Sequence, residues 1–208
     1  MKEVISHLFL LAALAVIFSG LTACTGTASS QSGPGDVTSP ALPDAPANGD
    51  VAKKKSDYPP IASAVATAEI KKLDGTVFTV NDKKGKVILL NLWAIYCGPC
   101  RVEMPALVKM QEQYGSQGFE IIGLNTNEEE DDIEAINEFA AKMHLNYEIA
   151  YADTHLQSSL LKISKFPGIP QSFLLDREGN LRGVFKSANA SEIAKLEETV
   201  AKVVEESQ

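Results

Sequence analysis

Residues 87–100 read Val87-Ile-Leu-Leu-Asn-Leu-Trp-Ala-Ile-Tyr-Cys-Gly-Pro-Cys100. The first part of this stretch is apolar apart from Asn91, which predicts a central strand that is buried on both faces. Two cysteines follow, and a helix is expected to begin near Cys97. A helix N-terminus stabilises a thiolate through its dipole and its free backbone N–H groups. The stretch therefore predicts a strand–turn–helix unit with a redox-active dithiol at the turn.

Strand and helix signals alternate on both sides of this unit. Asp74-Gly75 lies between two short apolar runs and predicts a β-hairpin. The remaining expected elements are strands over residues 119–125 and 147–151, helices over 97–114, 132–143 and 155–161, a second hairpin over 171–186 and a last helix from about 189. This order of hairpin, βαβ unit, inserted helix and strand, and ββα unit predicts an α/β domain with a mixed central sheet flanked by helices.

Length and charge limit the classes of protein that need to be considered. The chain has 208 residues, which suits one globular domain with additional segments. Its formal net charge is −8, so the basic face that nucleic-acid binders carry is not indicated. We expect a monomer with no nucleic-acid partner.

The N-terminal region predicts an export signal. Residues 8–18 form an apolar run that is about as long as a signal-peptide core and shorter than the ~20 residues that span a bilayer. Shortly after the run comes Leu21-Thr-Ala-Cys24, which resembles the bacterial lipobox. We expect residues 1–23 to be a lipoprotein signal peptide and Cys24 to carry the lipid. An ordinary signal peptide and an uncleaved anchor are the alternatives.

Composition changes abruptly after Cys24. Gly, Pro, Ser, Ala and Asp dominate residues 24–61, and such a segment cannot bury enough apolar surface to offset its ordering entropy. We therefore expect a flexible tether over residues 24–61 and a folded domain over residues 62–208.

The cysteine pair predicts a disulfide-exchange centre. Cys97, at the helix start, should be the exposed sulfur that attacks a substrate disulfide, and Cys100 should then resolve the mixed disulfide. A zinc site is the first alternative, but a structural zinc needs four ligands and the chain has no second Cys/His cluster, so we expect no metal. An inert structural disulfide is the second alternative.

The segment Trp93-Ala-Ile-Tyr-Cys-Gly-Pro-Cys100 resembles the active site of the thioredoxin superfamily. Together with the upstream hairpin, the inserted helix–strand unit and the lipobox cysteine, it resembles the membrane-anchored TlpA/ResA-like thiol–disulfide oxidoreductases. The resemblance covers about residues 63–206. It implies a thioredoxin-like fold.

The resemblance also implies a substrate-binding surface. Pro170, in the segment Phe166-Pro-Gly-Ile-Pro170, matches the cis-proline that the superfamily places beside its cysteines, and an ordinary trans turn proline is the alternative. The backbone of Ile169 would then pair with a substrate. Trp93, Tyr96 and Pro99 are expected to surround the cysteines, with Tyr96 standing where tryptophan is usual.

Glu103 is a candidate for tuning the thiols. Glu103 and Pro105 match the Glu-x-Pro that follows the cysteines in TlpA/ResA-like proteins. A nearby carboxylate raises thiol pKa values by like-charge repulsion, and it can carry protons. Asn91 stands where cytoplasmic thioredoxins have a buried aspartate, and Glu103 would substitute for that acid. A solvated helix glutamate is the alternative.

The implied function is extracytoplasmic reduction of protein disulfides by a lipid-anchored protein, with the Cys97–Cys100 pair as the redox group and no separate cofactor. Gly98-Pro99 is the dipeptide of reducing thioredoxins, whose potential is about −270 mV. The implied partners are protein disulfide substrates, for example the haem-site cysteines of apocytochrome c, and a membrane thiol donor of the CcdA or DsbD type.

Three other functions remain open at the level of sequence. A peroxiredoxin-like peroxidase would place Thr-x-x-Cys at the helix start, where this chain has Ile95-Tyr-Cys-Gly. A net disulfide-forming oxidase would differ in reduction potential. A non-enzymatic binding module would use the groove at Ile169 and Pro170 without turnover.

Overall fold

The structure is a computed structural model that describes residues 56–127 and 132–206. Its elements follow the predicted order, with a short N-terminal helix added before the first hairpin. The helices are α1 (Ser63–Ala66), α2 (Gly98–Tyr114), α3 (Ile133–Lys142), α4 (Thr154–Ser164) and α5 (Ala190–Glu206). The strands are β1 (Ile70–Lys72), β2 (Val77–Phe78), β3 (Val87–Trp93), β4 (Phe119–Asn125), β5 (Glu148–Tyr151), β6 (Gln171–Leu175) and β7 (Leu181–Phe185).

These strands form one mixed sheet in the order β2-β1-β5-β4-β3-β6-β7. Strand β3 pairs in parallel with β4 and antiparallel with β6, so it has a hydrogen-bonded neighbour on each edge. Strand β1 pairs antiparallel with β2 and with β5. Strand β7 lies at the opposite edge of the sheet, where it pairs antiparallel with β6. The prediction of an α/β domain with a mixed sheet, an N-terminal hairpin and an inserted helix–strand unit is confirmed.

The side chains of β3 alternate between two apolar layers, because successive residues of a strand point to opposite faces. Ile88, Leu90 and Leu92 pack in the cluster that includes residues of α1 and α4. Val87 and Leu89 pack in the cluster that includes residues of α2 and α5. Asn91 and Trp93 belong to the second set by this alternation, so they face the helix that begins after Cys97.

The folded part begins earlier than the predicted boundary at residue 62. The backbone N–H of Leu181 donates to the carbonyl of Pro59 at 2.8 Å, and the N–H of Ile61 donates to Gly179 at 3.0 Å. Ile61 is buried in the core. The pairing occurs because the chain before α1 lies along the β6–β7 hairpin, which has unused backbone groups at the edge of the sheet.

The predicted signal peptide, Cys24 and all but the end of the tether lie outside the described residues. Within residues 56–127 and 132–206, no helix is long and apolar enough to cross a membrane.

Candidate active site

Cys97 and Cys100 form a disulfide at the start of α2, with their Cα atoms 5.3 Å apart. Cys97 is the residue before the first helical turn, and its Sγ accepts a hydrogen bond of 3.1 Å from the backbone N–H of Cys100. Pro99 lies in that first turn, where a backbone N–H is not needed for the helix. When the disulfide opens, this N–H and the helix dipole are in place to stabilise the Cys97 thiolate.

The prediction of an exposed Cys97 is wrong for this disulfide form. Cys97 is only 5% exposed, against 2% for Cys100. Both cysteines belong to an apolar cluster that includes Met104 of α2 and Ile136 and Phe139 of α3. The sequence shows that a cysteine begins a helix, but it does not show how closely another helix packs beside that point.

The two aromatic residues before the cysteines lie in opposite environments. Tyr96 is 67% exposed and lies at the surface, as expected of a substrate-facing residue. Trp93 is fully buried and stacks on Phe139, with ring centroids 5.2 Å apart. Trp93 lies in the apolar cluster that contains both cysteines, as expected, but β3 directs its side chain into the layer between the sheet and the helices, so Trp93 offers no surface to a substrate in this disulfide form.

The loop before Cys97 is held by a side chain that the sequence did not single out. The guanidinium of Arg101 donates two hydrogen bonds to the carbonyl of Ile95, at 2.6 and 3.2 Å. It also lies over the ring of Phe139, 5.4 Å from the centroid. Arg101 thus links the first turn of α2 to the backbone just before the cysteines.

The Ile169–Pro170 peptide bond is cis, as the resemblance to the thioredoxin superfamily implied. Ile169 packs against the cluster that contains both cysteines, and Pro170 is buried. The loop before them is braced by Gln171, whose side-chain amide donates to the carbonyls of Phe166, at 3.0 Å, and Gly168.

A shallow depression joins this loop to the start of α2. Its lining includes Pro99, Ile169 and Pro170, three of the residues predicted to bind substrate. The rest of its lining is Val102, Phe166, Lys186, Ser187, Ala188 and Asn189. Tyr96 lies in a neighbouring depression that shares Ile169 and Phe166. The structure thus brings these residues together, while their contact with a substrate stays a prediction.

Glu103 is buried, with 3% of its surface exposed, so it is not a solvated helix glutamate. Its Oε1 accepts a hydrogen bond of 2.7 Å from the side-chain amide of Asn91. The hydroxyl of Ser172 donates a second bond of 3.2 Å to the same oxygen. The Asn91 amide also donates to Ser172 Oγ at 3.0 Å, which closes a small network among the three side chains.

Burial raises the pKa of Glu103 to about 7, even though the hydrogen bonds from Ser172 and Asn91 act in the opposite direction. The carboxyl group therefore changes its protonation state near neutral pH. Glu103 follows Cys100 by three positions in α2, and residues at this spacing are neighbours on one helix face. A group with these properties can take a proton from the Cys100 thiol and return it.

Tyr147 senses the charge of this carboxyl group, and Gly123 lies beside the Tyr147 ring. Burial raises the pKa of Tyr147, and the charge of Glu103 raises it further. The Tyr147 hydroxyl and the Trp93 indole nitrogen are buried and have no hydrogen-bond partner among the described residues. A Cβ atom at Gly123 would lie 3.0 Å from the Tyr147 ring and 3.1 Å from the Trp93 indole nitrogen, so a larger residue there would require one of these rings to shift by a few tenths of an ångström.

Reading the sequence did not identify Ser172, Tyr147 or Gly123. Asn91 lies opposite Ser172 in the β3–β6 pairing and opposite Gly123 in the β3–β4 pairing. The signal for these residues is therefore the alignment of the strands, which local patterns do not provide. Within residues 56–127 and 132–206, no group of three or more His, Cys, Asp or Glu side chains is arranged to hold a metal ion.

Known proteins resemble this chain over most of the described domain. A family model described as the AhpC/TSA family matches residues 61–184. The chain is 31% identical over 131 residues to the thiol-disulfide oxidoreductase ResA of Bacillus thuringiensis subsp. konkukian (strain 97-27), a match that covers 63% of this chain and 71% of ResA. It is 30% identical over 115 residues to the thioredoxin-like protein YneN of Bacillus subtilis (strain 168), covering 55% of this chain and 65% of YneN.

A solved structure is also similar to this chain. The thiol:disulfide interchange protein of the thioredoxin family from Chlorobium tepidum TLS matches 72% of this chain and 99% of its own length, with a TM-score of 0.59 and 25% identity. These matches confirm the resemblance inferred from the cysteine motif.

We predict that Glu103 makes stability depend on pH. Its pKa is raised from 4.5 to about 7 on folding, so the folded state favours the protonated form. The resulting stabilisation is complete below about pH 4.5 and is lost as the pH rises through about 7, a change of about 3 kcal/mol. Urea unfolding of the oxidised protein across this range should show this decline.

Glu103→Gln should remove the decline, because the amide cannot ionise. Glu112→Gln, an exposed change in the same helix, should retain it. Identical pH profiles for the parent and Glu103→Gln would contradict the prediction.

Proposed function

The chain belongs to the AhpC/TSA family and is a thiol–disulfide oxidoreductase of the ResA type, and we propose that it acts in the reducing direction, opening disulfide bonds in other proteins. The observation that carries the proposal is the Cys97–Cys100 pair at a helix N-terminus with Gly98-Pro99, the dipeptide of reducing thioredoxins, between the two sulfurs. A buried carboxyl group whose pKa is raised to about 7 lies one helical turn away and supports the exchange chemistry.

The first step begins with the reduced protein. The Cys97 thiolate attacks one sulfur of the substrate disulfide, and a new S–S bond forms between Cys97 and that sulfur. The substrate disulfide breaks, and its other sulfur leaves as a thiolate that takes a proton from solvent. Tyr96 and the depression between Pro99 and Pro170 are suited to hold the polypeptide on either side of the reacting sulfur.

The second step releases the substrate. Glu103, as the carboxylate, accepts the proton of the Cys100 thiol, and the Cys100 thiolate attacks Cys97 Sγ. The bond between Cys97 and the substrate breaks, and the substrate leaves as a dithiol after protonation. Two electrons have moved from the protein to the substrate, and the Cys97–Cys100 disulfide seen in the structure is the product.

A reductase must itself be reduced again after each cycle, because its own cysteine pair is left as a disulfide. A disulfide reductase in an oxidising compartment needs electrons from a membrane thiol donor, for which the CcdA or DsbD type is the implied partner. Anchoring through a lipid on Cys24, with residues 24 to about 58 as a tether, would keep the domain near such a donor. Protein disulfides, including the haem-site cysteine pair of apocytochrome c, are the proposed substrates.

We predict that Cys100→Ala traps substrates. Without the resolving sulfur, the mixed disulfide on Cys97 persists, and mass spectrometry of the adducts should identify the partner proteins. Cys97→Ala is the matched control and should give no such adducts. The reductase proposal fails if Cys100→Ala forms no adduct while its Cys97 still reacts with an alkylating reagent.

The direction of electron flow predicts a low reduction potential. Equilibration of the full chain with glutathione or dithiothreitol should give a value near the ~−270 mV of thioredoxin, because the two share Gly-Pro between the cysteines. A value near the ~−120 mV of strong disulfide oxidants would instead support a net oxidase. Rapid peroxide consumption that is lost in Cys97→Ser would support a peroxidase.

The lipid anchor predicts a specific change in partitioning. In cells of a lipoprotein-processing bacterium, the parent should enter the detergent phase of a detergent–water separation, and Cys24→Ser should move to the aqueous phase. The double variant Cys97→Ser/Cys100→Ser should stay in the detergent phase, because it keeps Cys24. A Cys24→Ser variant that remains with the detergent would instead indicate an uncleaved apolar anchor.

A further inference from the structure

The network around Glu103 arises from the register of three elements. Asn91 in β3 and Ser172 in β6 are directly opposite each other in the antiparallel pairing. Their side chains lie on the same face of the sheet, because residues opposite each other in a pair share a face. Helix α2 covers that face and places Glu103 above both of them. Asn91 and Ser172 are 2% and 1% exposed, so water does not compete for these bonds.

The two hydrogen bonds to Glu103 end on the same oxygen atom. Asn91 Nδ2 and Ser172 Oγ both donate to Oε1, at 2.7 and 3.2 Å. Within residues 56–127 and 132–206, no hydrogen bond reaches Oε2. An oxygen that accepts two hydrogen bonds has less electron density available for a proton, so Oε2 is the more basic oxygen of the pair.

We propose that Asn91 and Ser172 are positioning residues that hold Oε1 of Glu103 and thereby assign Oε2 as the atom that receives and returns the proton of Cys100. The inference rests on the proton-carrying step proposed above. Neither residue touches a reacting sulfur; each acts through the carboxyl group. Ser172 also links this network to the substrate-binding loop, because β6, the strand that contains Ser172, begins directly after Pro170.

Few other groups among the described residues affect the pKa of Glu103. Its pKa responds to burial and to the bonds from Ser172 and Asn91, with no contribution from a lysine, arginine or histidine among the described residues. Tyr147, beside β5, is the other titratable group that senses Glu103, and its raised pKa keeps it neutral at physiological pH. On α2 itself the facing groups are the cysteines. Removal of either hydrogen bond should therefore act on Glu103 directly.

The test measures Glu103 and the resolving step separately in the full chain carrying Cys24→Ser, so that only Cys97 and Cys100 react. Carbon-13 NMR of glutamate carboxyl groups gives the titration midpoint of Glu103 in the oxidised protein, and Glu103→Gln identifies its signal. Reaction of the reduced protein with Ellman's reagent releases one thionitrobenzoate when Cys97 attacks and a second when Cys100 resolves the adduct. The rate of the second release is followed against pH.

Ser172→Ala should raise the midpoint of Glu103 by about one pH unit, because it removes a bond that favours the charged form. The pH midpoint of the second thionitrobenzoate release should move by the same amount. Ser172→Thr keeps the hydroxyl and should restore both values. Ser159→Ala, a buried truncation in α4 outside the network, should change neither.

Asn91→Ala removes the other hydrogen bond, and it provides the same readout if Ser172→Ala does not fold. An unchanged NMR midpoint of Glu103 in a folded Ser172→Ala or Asn91→Ala variant would overturn the positioning inference. If the NMR midpoint moves while the pH profile of the second release does not, the positioning role is supported and the proton-carrying step of Glu103 is overturned.

Discussion

Strand β3 has a neighbour on each edge and a layer of helices on each face, so none of its side chains can reach water. A buried polar group on this strand that finds no partner within the protein costs about 1–3 kcal/mol, and the indole nitrogen of Trp93 has none among the described residues. The side-chain amide of Asn91, by contrast, is paired with Glu103 and Ser172. Glu103 and Ser172, which accept the hydrogen bonds of that amide, are therefore central to the site.

The same constraint explains how a carboxyl group comes to lie beneath the cysteines. A charged glutamate in this layer would be strongly disfavoured by burial, and two hydrogen bonds offset only part of the cost. The balance leaves Glu103 near its titration midpoint at neutral pH. Burial of the charged Glu103 lowers the stability of the folded state. The same burial gives a carboxyl group that can exchange a proton with Cys100 without leaving the protein interior.

Local sequence patterns predicted the helices and strands, but they did not predict how these pack against one another. The apolar run of residues 87–93 and the turn at Asp74-Gly75 depend on neighbours along the chain, and the structure has them as expected. The exposure of Cys97 and the access of a substrate to Trp93 depend instead on how α3 packs beside α2. The predicted exposure of Cys97 was wrong because helix packing is a contact between distant parts of the sequence.

The sequence by itself determined the order of the elements and the cysteine pair at a helix start, because each is written in a short continuous stretch, and its resemblance to a known family implied the cis-proline. Only the tertiary structure decided which polar side chains surround the carboxyl group. Ser172 lies 81 residues from Asn91 and 69 from Glu103, and a shift of one residue in the β3–β6 register would turn its hydroxyl to the other face of the sheet. The network therefore depends on strand register, which packing of the whole sheet sets.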